Sequence, residues 1–168
     1  AADSVDNTIL KLDDDYALTG TVTGTVSGTN AFSARAVGDA WVSPSDGTIL
    51  LFSDDSTGDS FDTDSCYNTS TYKFTAPATG VYMFWYNIYT ALNDESNGFG
   101  FLKNSTKVNF SSGASDKHHS VALSEAADHI QTATLTIPLA SGNTMAVVVS
   151  TQADYYKGRS FWGGCRLA

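Results

Sequence analysis

Five aspartates within one turn-rich stretch are the densest group of metal-ligating side chains in this sequence. They stand among serine, threonine and glycine: Asp54, Asp55, Asp59, Asp62 and Asp64. Carboxylate oxygens are ligands that Ca²⁺ prefers, but the spacing differs from an EF-hand loop, which needs fixed positions and a terminal glutamate. The stretch therefore predicts either a calcium site or a solvated acidic loop. No other cofactor is expected.

Two cysteines, Cys66 and Cys165, lie almost a whole domain apart. Neither belongs to a CxxC pair, so the spacing does not indicate a zinc site. A disulfide between them would close a long loop, stabilise the fold by about 4 to 5 kcal/mol if only chain entropy is counted, and imply an oxidising compartment. Two buried free thiols are the alternative.

Motifs of known catalytic chemistry do not support an enzyme. The sequence has no GxSxG, HExxH or P-loop pattern. Residues Ser70 to Lys73 fit the SxxK pattern, but that chemistry requires companion motifs and a helical fold, for which the sequence gives no sign. We therefore predict a protein that is not an enzyme.

A short segment near the end of the chain combines aromatic rings with cations: Tyr155, Tyr156, Lys157 and Arg159. Rings and cations together suit contacts with a glycan or a protein, and such residues often lie on loops. The segment therefore predicts a ligand-binding loop. A plain connecting loop is the alternative.

Composition favours strands and excludes two classes of partner. Hydrophobic residues make up 42% of the 168 residues and charged residues only 16%. Because the remainder is rich in turn-forming residues, the composition is typical of strands and turns. The net charge of -9, with nine Lys and Arg that form no basic stripe, argues against nucleic acid. No apolar run approaches the roughly 20 residues that span a bilayer, so no membrane insertion is expected.

Residues 31–168 read as one domain, after a lead-in at residues 1–30 that contains a Thr/Val/Gly near-repeat. About ten short strands separated by turn residues predict an antiparallel jelly roll or sandwich. The predicted strands are Ala31–Val37, Thr48–Phe52, Tyr72–Thr75, Val81–Ala91, Gly98–Leu102, Lys107–Phe110, Ser120–Leu123, Thr132–Leu139, Met145–Ser150 and Ser160–Leu167.

One predicted strand is apolar on both of its faces. Alternation places Tyr82, Phe84, Tyr86 and Ile88 on one face and Val81, Met83, Trp85 and Tyr89 on the other. A sandwich strand normally has one face in water. A partner subunit would cover the second face, and a loop or an internal helix of the same chain is the alternative.

The aromatic residues also carry a resemblance to a known family. Seven positions are spaced as in the signature of C1q domains: Asp62, Tyr67, Phe74, Gly80, Tyr82, Phe84 and Tyr86. Ala31–Arg35 is similar to that family's first strand, and Ser160–Gly163 is similar to the opening of its last strand. Two departures are Ser56, where an aromatic residue is expected, and Gly164 to Arg166, where apolar residues are usual.

The resemblance implies an all-β, ten-stranded C1q/TNF-like jelly-roll sandwich that forms a homotrimer with both termini near one end. Its interface or aromatic core would include the residues from Val81 to Tyr89, without Asn87, and Phe161. No catalytic residue is carried over.

The lead-in resembles phage fibre sequences, in which a thin stalk precedes a globular knob. We therefore expect a trimeric virion-surface domain, a phage fibre tip or capsid decoration, that binds a host-surface glycan or protein. A secreted, extracellular C1q-like recognition or cytokine-like protein is the alternative, in which the sequons at Asn68, Asn104 and Asn109 would be glycosylated. An architectural capsid or filament subunit is a second alternative.

Overall fold

The computed structural model describes residues 30–53, 60–91, 98–108, 121–125, 128–151 and 154–168. All of the predicted lead-in except residue 30 lies outside this range. The described residues form thirteen strands and one short 3-10 helix, Lys157–Arg159, with no α-helix. The strands are β1 (Ala31–Arg35), β2 (Trp41–Val42), β3 (Phe61–Asp62), β4 (Tyr67–Asn68), β5 (Lys73–Thr75), β6 (Gly80–Ala91), β7 (Gly98–Lys103), β8 (Thr106–Val108), β9 (Val121–Glu125), β10 (Asp128–Leu139), β11 (Thr144–Thr151), β12 (Tyr155–Tyr156) and β13 (Phe161–Arg166).

The predicted all-β class is confirmed, while the count of ten strands is approximate. Four of the observed strands, β2, β3, β4 and β12, have only two residues each. So short a strand shows no alternation that a sequence pattern could reveal. The other nine strands each coincide at least in part with a predicted one.

Two antiparallel sheets enclose one hydrophobic core. In the larger, eight-stranded sheet, β6 lies at the centre, with β10 on one edge and both β13 and β12 on the other. The remaining strands of that sheet are β1, β2, β3 and β9. The smaller sheet has five strands in the order β4-β5-β11-β7-β8. The sheets form the two layers of a sandwich, and their facing side chains fill the core.

The inner face of β6 supplies the centre of that core. Its side chains Tyr82, Phe84, Tyr86 and Ile88 are at most 2% exposed. The Phe84 ring lies 6.2 Å from Trp162 and 5.2 Å, edge on, from a phenylalanine of β5. Each such ring removes about 150 to 250 Å² from water, which contributes about 4 to 6 kcal/mol before conformational entropy is subtracted. The row of rings therefore fixes which face of β6 points inward.

Two adjacent glycines in β13 let the neighbouring strands carry their large rings. A Cβ atom on Gly163 would lie 2.8 Å from Cζ2 of Trp85 on the outer face of the sheet. A Cβ atom on Gly164 would lie 2.7 Å from Cε1 of Phe84 on the inner face. Real Cβ atoms do not approach other atoms so closely. The departure from apolar residues noted at Gly164 therefore has a physical reason, which is the room that the rings of β6 require.

The segment predicted as a strand at residues 48–52 is not one. Leu50 and Phe52 are both buried, yet Ile49 forms only an isolated bridge, to Val148 of the smaller sheet. The amide of Phe52 donates to the carbonyl of Leu50, 3.1 Å away, so it makes no ladder bond. One residue further, Ser53 exchanges backbone hydrogen bonds with Arg35 of the larger sheet. The segment crosses from one sheet to the other, which prevents a regular strand.

The first and last strands lie side by side. Ala31 pairs with Cys165, and Arg35 pairs with Phe161, so β1 and β13 are antiparallel. The amide of Arg166 donates to the carbonyl of Asn30, at 2.9 Å. Residue 30 and the end of β13 therefore lie at the same end of the larger sheet, as the resemblance implies for the two ends of such a domain.

Candidate functional site

The outer face of the larger sheet carries a strip of apolar side chains. Alternation in β6 directs Val81, Met83 and Trp85 outward, and Phe161 of β13 lies on the same face because it pairs with Asn87. Val81 is 38% exposed and Phe161 is 39% exposed, while Met83 and Trp85 are half-buried. We call these four residues the outer strip.

The borders of the outer strip show where the apolar surface ends. On the β10 side, Thr134 pairs with Trp85 and Thr136 pairs with Met83, and both threonines are exposed. On the β13 side, the indole of Trp85 lies over Gly163. The strip is thus a narrow apolar band beside a polar strand, not a generally hydrophobic sheet.

A second group of side chains lies on this sheet around the end of β6. The rings of Trp41, Tyr89 and Tyr156 have centroids 5.4 to 6.1 Å apart. The guanidinium carbon of Arg159 stands 4.9 Å from the Tyr89 ring centroid and 6.0 Å from that of Tyr156. Trp41 is 46% exposed, Arg159 is exposed, and the two tyrosines are half-buried. We call these four residues the Trp41 cluster.

Partly buried hydrogen bonds hold the backbone that carries this cluster. Ser160 is fully buried, and its hydroxyl donates to the carbonyl of Tyr156 at 2.7 Å and accepts from the amide of Tyr89 at 3.1 Å. Nη2 of Arg35 donates to the carbonyl of Gly158 at 2.6 Å. The pairing of β12 with β2 places Trp41 opposite Tyr156. The rings are therefore positioned by secondary structure and by a buried polar side chain.

The structure places the residues predicted as a ligand-binding loop in two different environments, the surface cluster and the core. Tyr156 and Arg159 belong to the Trp41 cluster, and Lys157 is half-buried beside them in the 3-10 helix. Tyr155 is only 1% exposed and faces Phe99 in the core, so its inclusion in a binding loop is corrected. The reason is that Tyr155 and Tyr156 are consecutive strand residues, whose side chains point to opposite sides.

Two members of the Trp41 cluster were not predicted as ligand contacts. Trp41 lies in a stretch that the sequence left outside any strand, and Tyr89 was grouped only with the apolar face of β6. The sequence separations that join them to Tyr156 are long, so no local spacing reveals the contact. The available signal was an isolated tryptophan in a polar, turn-rich stretch.

The two cysteines are free thiols in the structure. Cys66 is buried in the core, while Cys165 pairs with Met83 and lies on the outer face. Of the two alternatives that the sequence left open, the structure has the free thiols, although only Cys66 is buried. Burial is the main cause that raises the pKa of Cys66 to about 12, and a hydrogen bond from its Sγ to Oδ1 of Asp62, at 3.1 Å, adds to it.

The aspartate stretch is only partly described. Asp54, Asp55 and Asp59 lie outside the described residues. Asp62 accepts hydrogen bonds from the amides of Cys66 and Tyr67, at 3.0 and 2.9 Å, so its carboxylate closes the loop before β4. Asp64 accepts from the side chain of Asn30. Within the described ranges no group of three or more His, Cys, Asp or Glu side chains is arranged to hold a metal ion, and calcium stays a prediction for the whole stretch.

The described residues contain no helix with the length and hydropathy that are needed to span a bilayer.

The fold is similar to solved structures of C1q and TNF-like proteins. The globular domain of zebrafish complement 1qA protein is 13% identical with a TM-score of 0.56, and the match covers 83% of this chain and 98% of that one. Murine APRIL is 12% identical with a TM-score of 0.58, covering 83% and 99%. Eiger TNF from S. frugiperda is 13% identical with a TM-score of 0.52, covering 83% and 93%. The chain therefore has the C1q/TNF-like jelly-roll fold.

Comparisons of sequence alone give no relative. No family model matches the sequence, and no curated protein matches it. The likeness at 12 to 13% identity thus concerns the fold alone.

Proposed function

We propose that this protein is a homotrimeric binding head that works outside the cell, on a virion surface, and recognises a host-surface glycan or protein. The observation that carries the proposal is the outer strip. It places four large apolar side chains in a band on the outer face of the larger sheet, two of them more than a third exposed. Such bands on a soluble chain mark contact surfaces.

Association with identical copies would cover the outer strip without requiring a different partner protein. Identical copies around a threefold axis bury the same strip three times, and the assembly closes at three. The resemblance of the aromatic signature to C1q domains implies the same arrangement. A segment of the same chain lying over the strip is the competing explanation, and it predicts a single copy in solution.

The location on a virion is supported by the lead-in sequence. A Thr/Val/Gly near-repeat before a compact head resembles a fibre stalk, and three identical heads raise avidity for a weakly bound ligand without any new contact. The proposal predicts that the gene lies among genes for virion structural proteins. A secreted recognition protein predicts glycosylated sequons instead, and an architectural subunit predicts assemblies that grow beyond three copies.

The oligomeric state is tested by measuring the mass of the full chain in solution at micromolar concentration, by light scattering after size-exclusion chromatography. The expected mass is three times the 17.8 kDa of one chain. The double variant Val81→Glu with Phe161→Glu puts charges into the strip, and we expect it to elute as a folded single chain.

Leu51→Glu is the matched control, because Leu51 is 42% exposed but lies outside the strip. We expect it to keep the mass of the unaltered protein. A single-chain mass for the unaltered protein would contradict the trimer, and a double variant that still forms trimers would show that the strip is not the contact.

A further inference from the structure

We propose that the Trp41 cluster is a binding platform for a sugar that carries a carboxylate, such as a sialic acid or a uronic acid. The proposal rests on the role of this protein as a binding head, and it adds the place of binding and the chemical class of the ligand.

The rings offer faces against which a sugar packs. The C–H groups on one side of a pyranose form an apolar, slightly positive patch that suits the negative face of an aromatic ring. Trp41 meets Tyr156 at an interplanar angle of 64°, and Tyr156 meets Tyr89 at 71°. Trp41 and Tyr89 are tilted to each other by 34°, so none of the three pairs is a parallel stack in which one ring covers the face of another. The exposure of Trp41, 46%, leaves its indole accessible.

The cations select an acidic ligand. Arg159 already occupies the face of Tyr89 at 4.9 Å, so a cationic ligand would meet a like charge there. Within the part of the chain that the structure describes, Arg159 has no salt-bridge partner, and Lys157 stands two residues away. A planar guanidinium is suited to holding a carboxylate by two parallel hydrogen bonds.

The rest of the surface limits how much negative charge the ligand carries. The protein has a net charge of -9, which repels long polyanions. The carboxylate of Asp39 also lies close to Gly158, the residue between Lys157 and Arg159, and offsets part of their positive charge. The local positive charge therefore suits one carboxylate approaching Arg159, and it does not suit a nucleic acid or a heavily sulfated chain.

The platform is preorganised. The buried hydroxyl of Ser160 ties the backbone of Tyr89 to that of Tyr156, and Arg35 fixes the carbonyl of Gly158 between Lys157 and Arg159. Rings and guanidinium are thus held in place before a ligand arrives. Preorganisation lowers the entropy cost of binding, which matters for a ligand as small as a sugar.

The experiment measures binding of the unaltered trimer to matched pairs of sugars by titration calorimetry. The pairs are sialyllactose against lactose, and methyl glucuronide against methyl glucoside. We expect the acidic member of at least one pair to bind at least tenfold more tightly than its neutral partner, with affinity that falls as salt is added.

Two variants locate the site. Trp41→Ala removes the exposed ring, and Arg159→Gln removes the charge, and each is expected to weaken binding of the acidic sugar about tenfold or more. Lys73→Gln makes the same charge change on the smaller sheet and is expected to leave affinity unchanged. Circular dichroism and a thermal melt test whether each variant is folded. If Trp41→Ala does not fold, Arg159→Gln alone tests the site.

Three results would overturn the proposal. If acidic sugars bind no better than neutral ones, the proposed class of ligand is wrong. If both variants still bind the acidic sugar with unchanged affinity, the proposed site is wrong. A loss of the trimer mass in Trp41→Ala or Arg159→Gln would show that the cluster is a contact between copies, and that result would overturn the sugar platform while supporting the trimer.

Discussion

Folding alters the titration of the Cys66 thiol, which is buried in the core. Burial and the neighbouring Asp62 carboxylate raise its pKa from 9.0 to about 12. Burial also raises the pKa of Tyr67, Tyr86 and Tyr155 above the usual range. All four groups must stay protonated while the protein is folded, because a buried anion would be poorly solvated.

This environment predicts that the free energy of unfolding falls at alkaline pH. Below about pH 9 the folded and unfolded chains both keep the proton of Cys66, so its contribution is constant. Between about pH 9 and pH 12 the unfolded chain loses the proton and the folded chain keeps it. The free energy of unfolding then falls by up to about 1.4 kcal/mol per pH unit from this thiol alone.

Denaturant unfolding between pH 7 and pH 10 measures the effect before the tyrosines dominate. Cys66→Ser keeps a donor for Asp62 and removes the titration, so we expect a smaller fall in the unfolding free energy than in the unaltered protein. Equal slopes for the unaltered protein and Cys66→Ser would contradict the assignment.

The strands β6 and β13 depend on each other through glycine. Gly163→Ala places a Cβ atom 2.7 Å from the carbonyl oxygen of Phe32 and 2.8 Å from the indole of Trp85. The first of these is backbone and the second is packed over the strand, so neither moves freely. We expect Gly163→Ala to destabilise the protein by about 1 to 3 kcal/mol, as overpacking of a well-ordered site does.

Gly158→Ala is the matched comparison for that substitution. Its closest neighbour is the carboxylate of Asp39, which is the end of an exposed side chain and can move aside. We therefore expect a smaller loss in chemical denaturation than for Gly163→Ala. A Gly163→Ala protein as stable as the unaltered one would show that β6 and β13 adjust without cost.

Among the strands, the long ones could be predicted from the period-two pattern of their side chains, and the two-residue ones could not. The pattern from Tyr82 to Ile88 is a run of aromatic and branched residues at period two, and burial of one face of β6 follows it. Strand β2 has two residues, and its place beside β12 depends on pairing across the whole domain. Trp41 was therefore missed as a site residue. The sequence divided the side chains of β6 between two faces but left open which face meets the core, because both faces are apolar.

At the scale of the whole molecule, the proposed trimer would couple assembly to stability. A chain that folds as a trimer unfolds to three separate chains, so its melting temperature rises with protein concentration. For a domain of this size we expect an increase of about 4 to 7 °C for a hundredfold rise in concentration. Differential scanning fluorimetry over that range makes the measurement.

The double variant Val81→Glu with Phe161→Glu supplies the contrast for this measurement. As a single folded chain, it is expected to melt at one temperature at every concentration. A melting temperature of the unaltered protein that stays constant with concentration would mean that folding does not depend on association.

The antiparallel pairing of β1 with β13 also sets how the head faces its surroundings. Residue 30 and Arg166 lie at one end of these strands, while Arg35, Phe161 and the neighbouring Arg159 lie at the other, about 13 Å further along the sheet for a five-residue strand. A tether attached through residue 30 or through the last residue thus leaves the tryptophan and its tyrosines pointing away from the anchor. Immobilised on a sensor chip by either route, the protein would present that end to the flowing sample without a further linker.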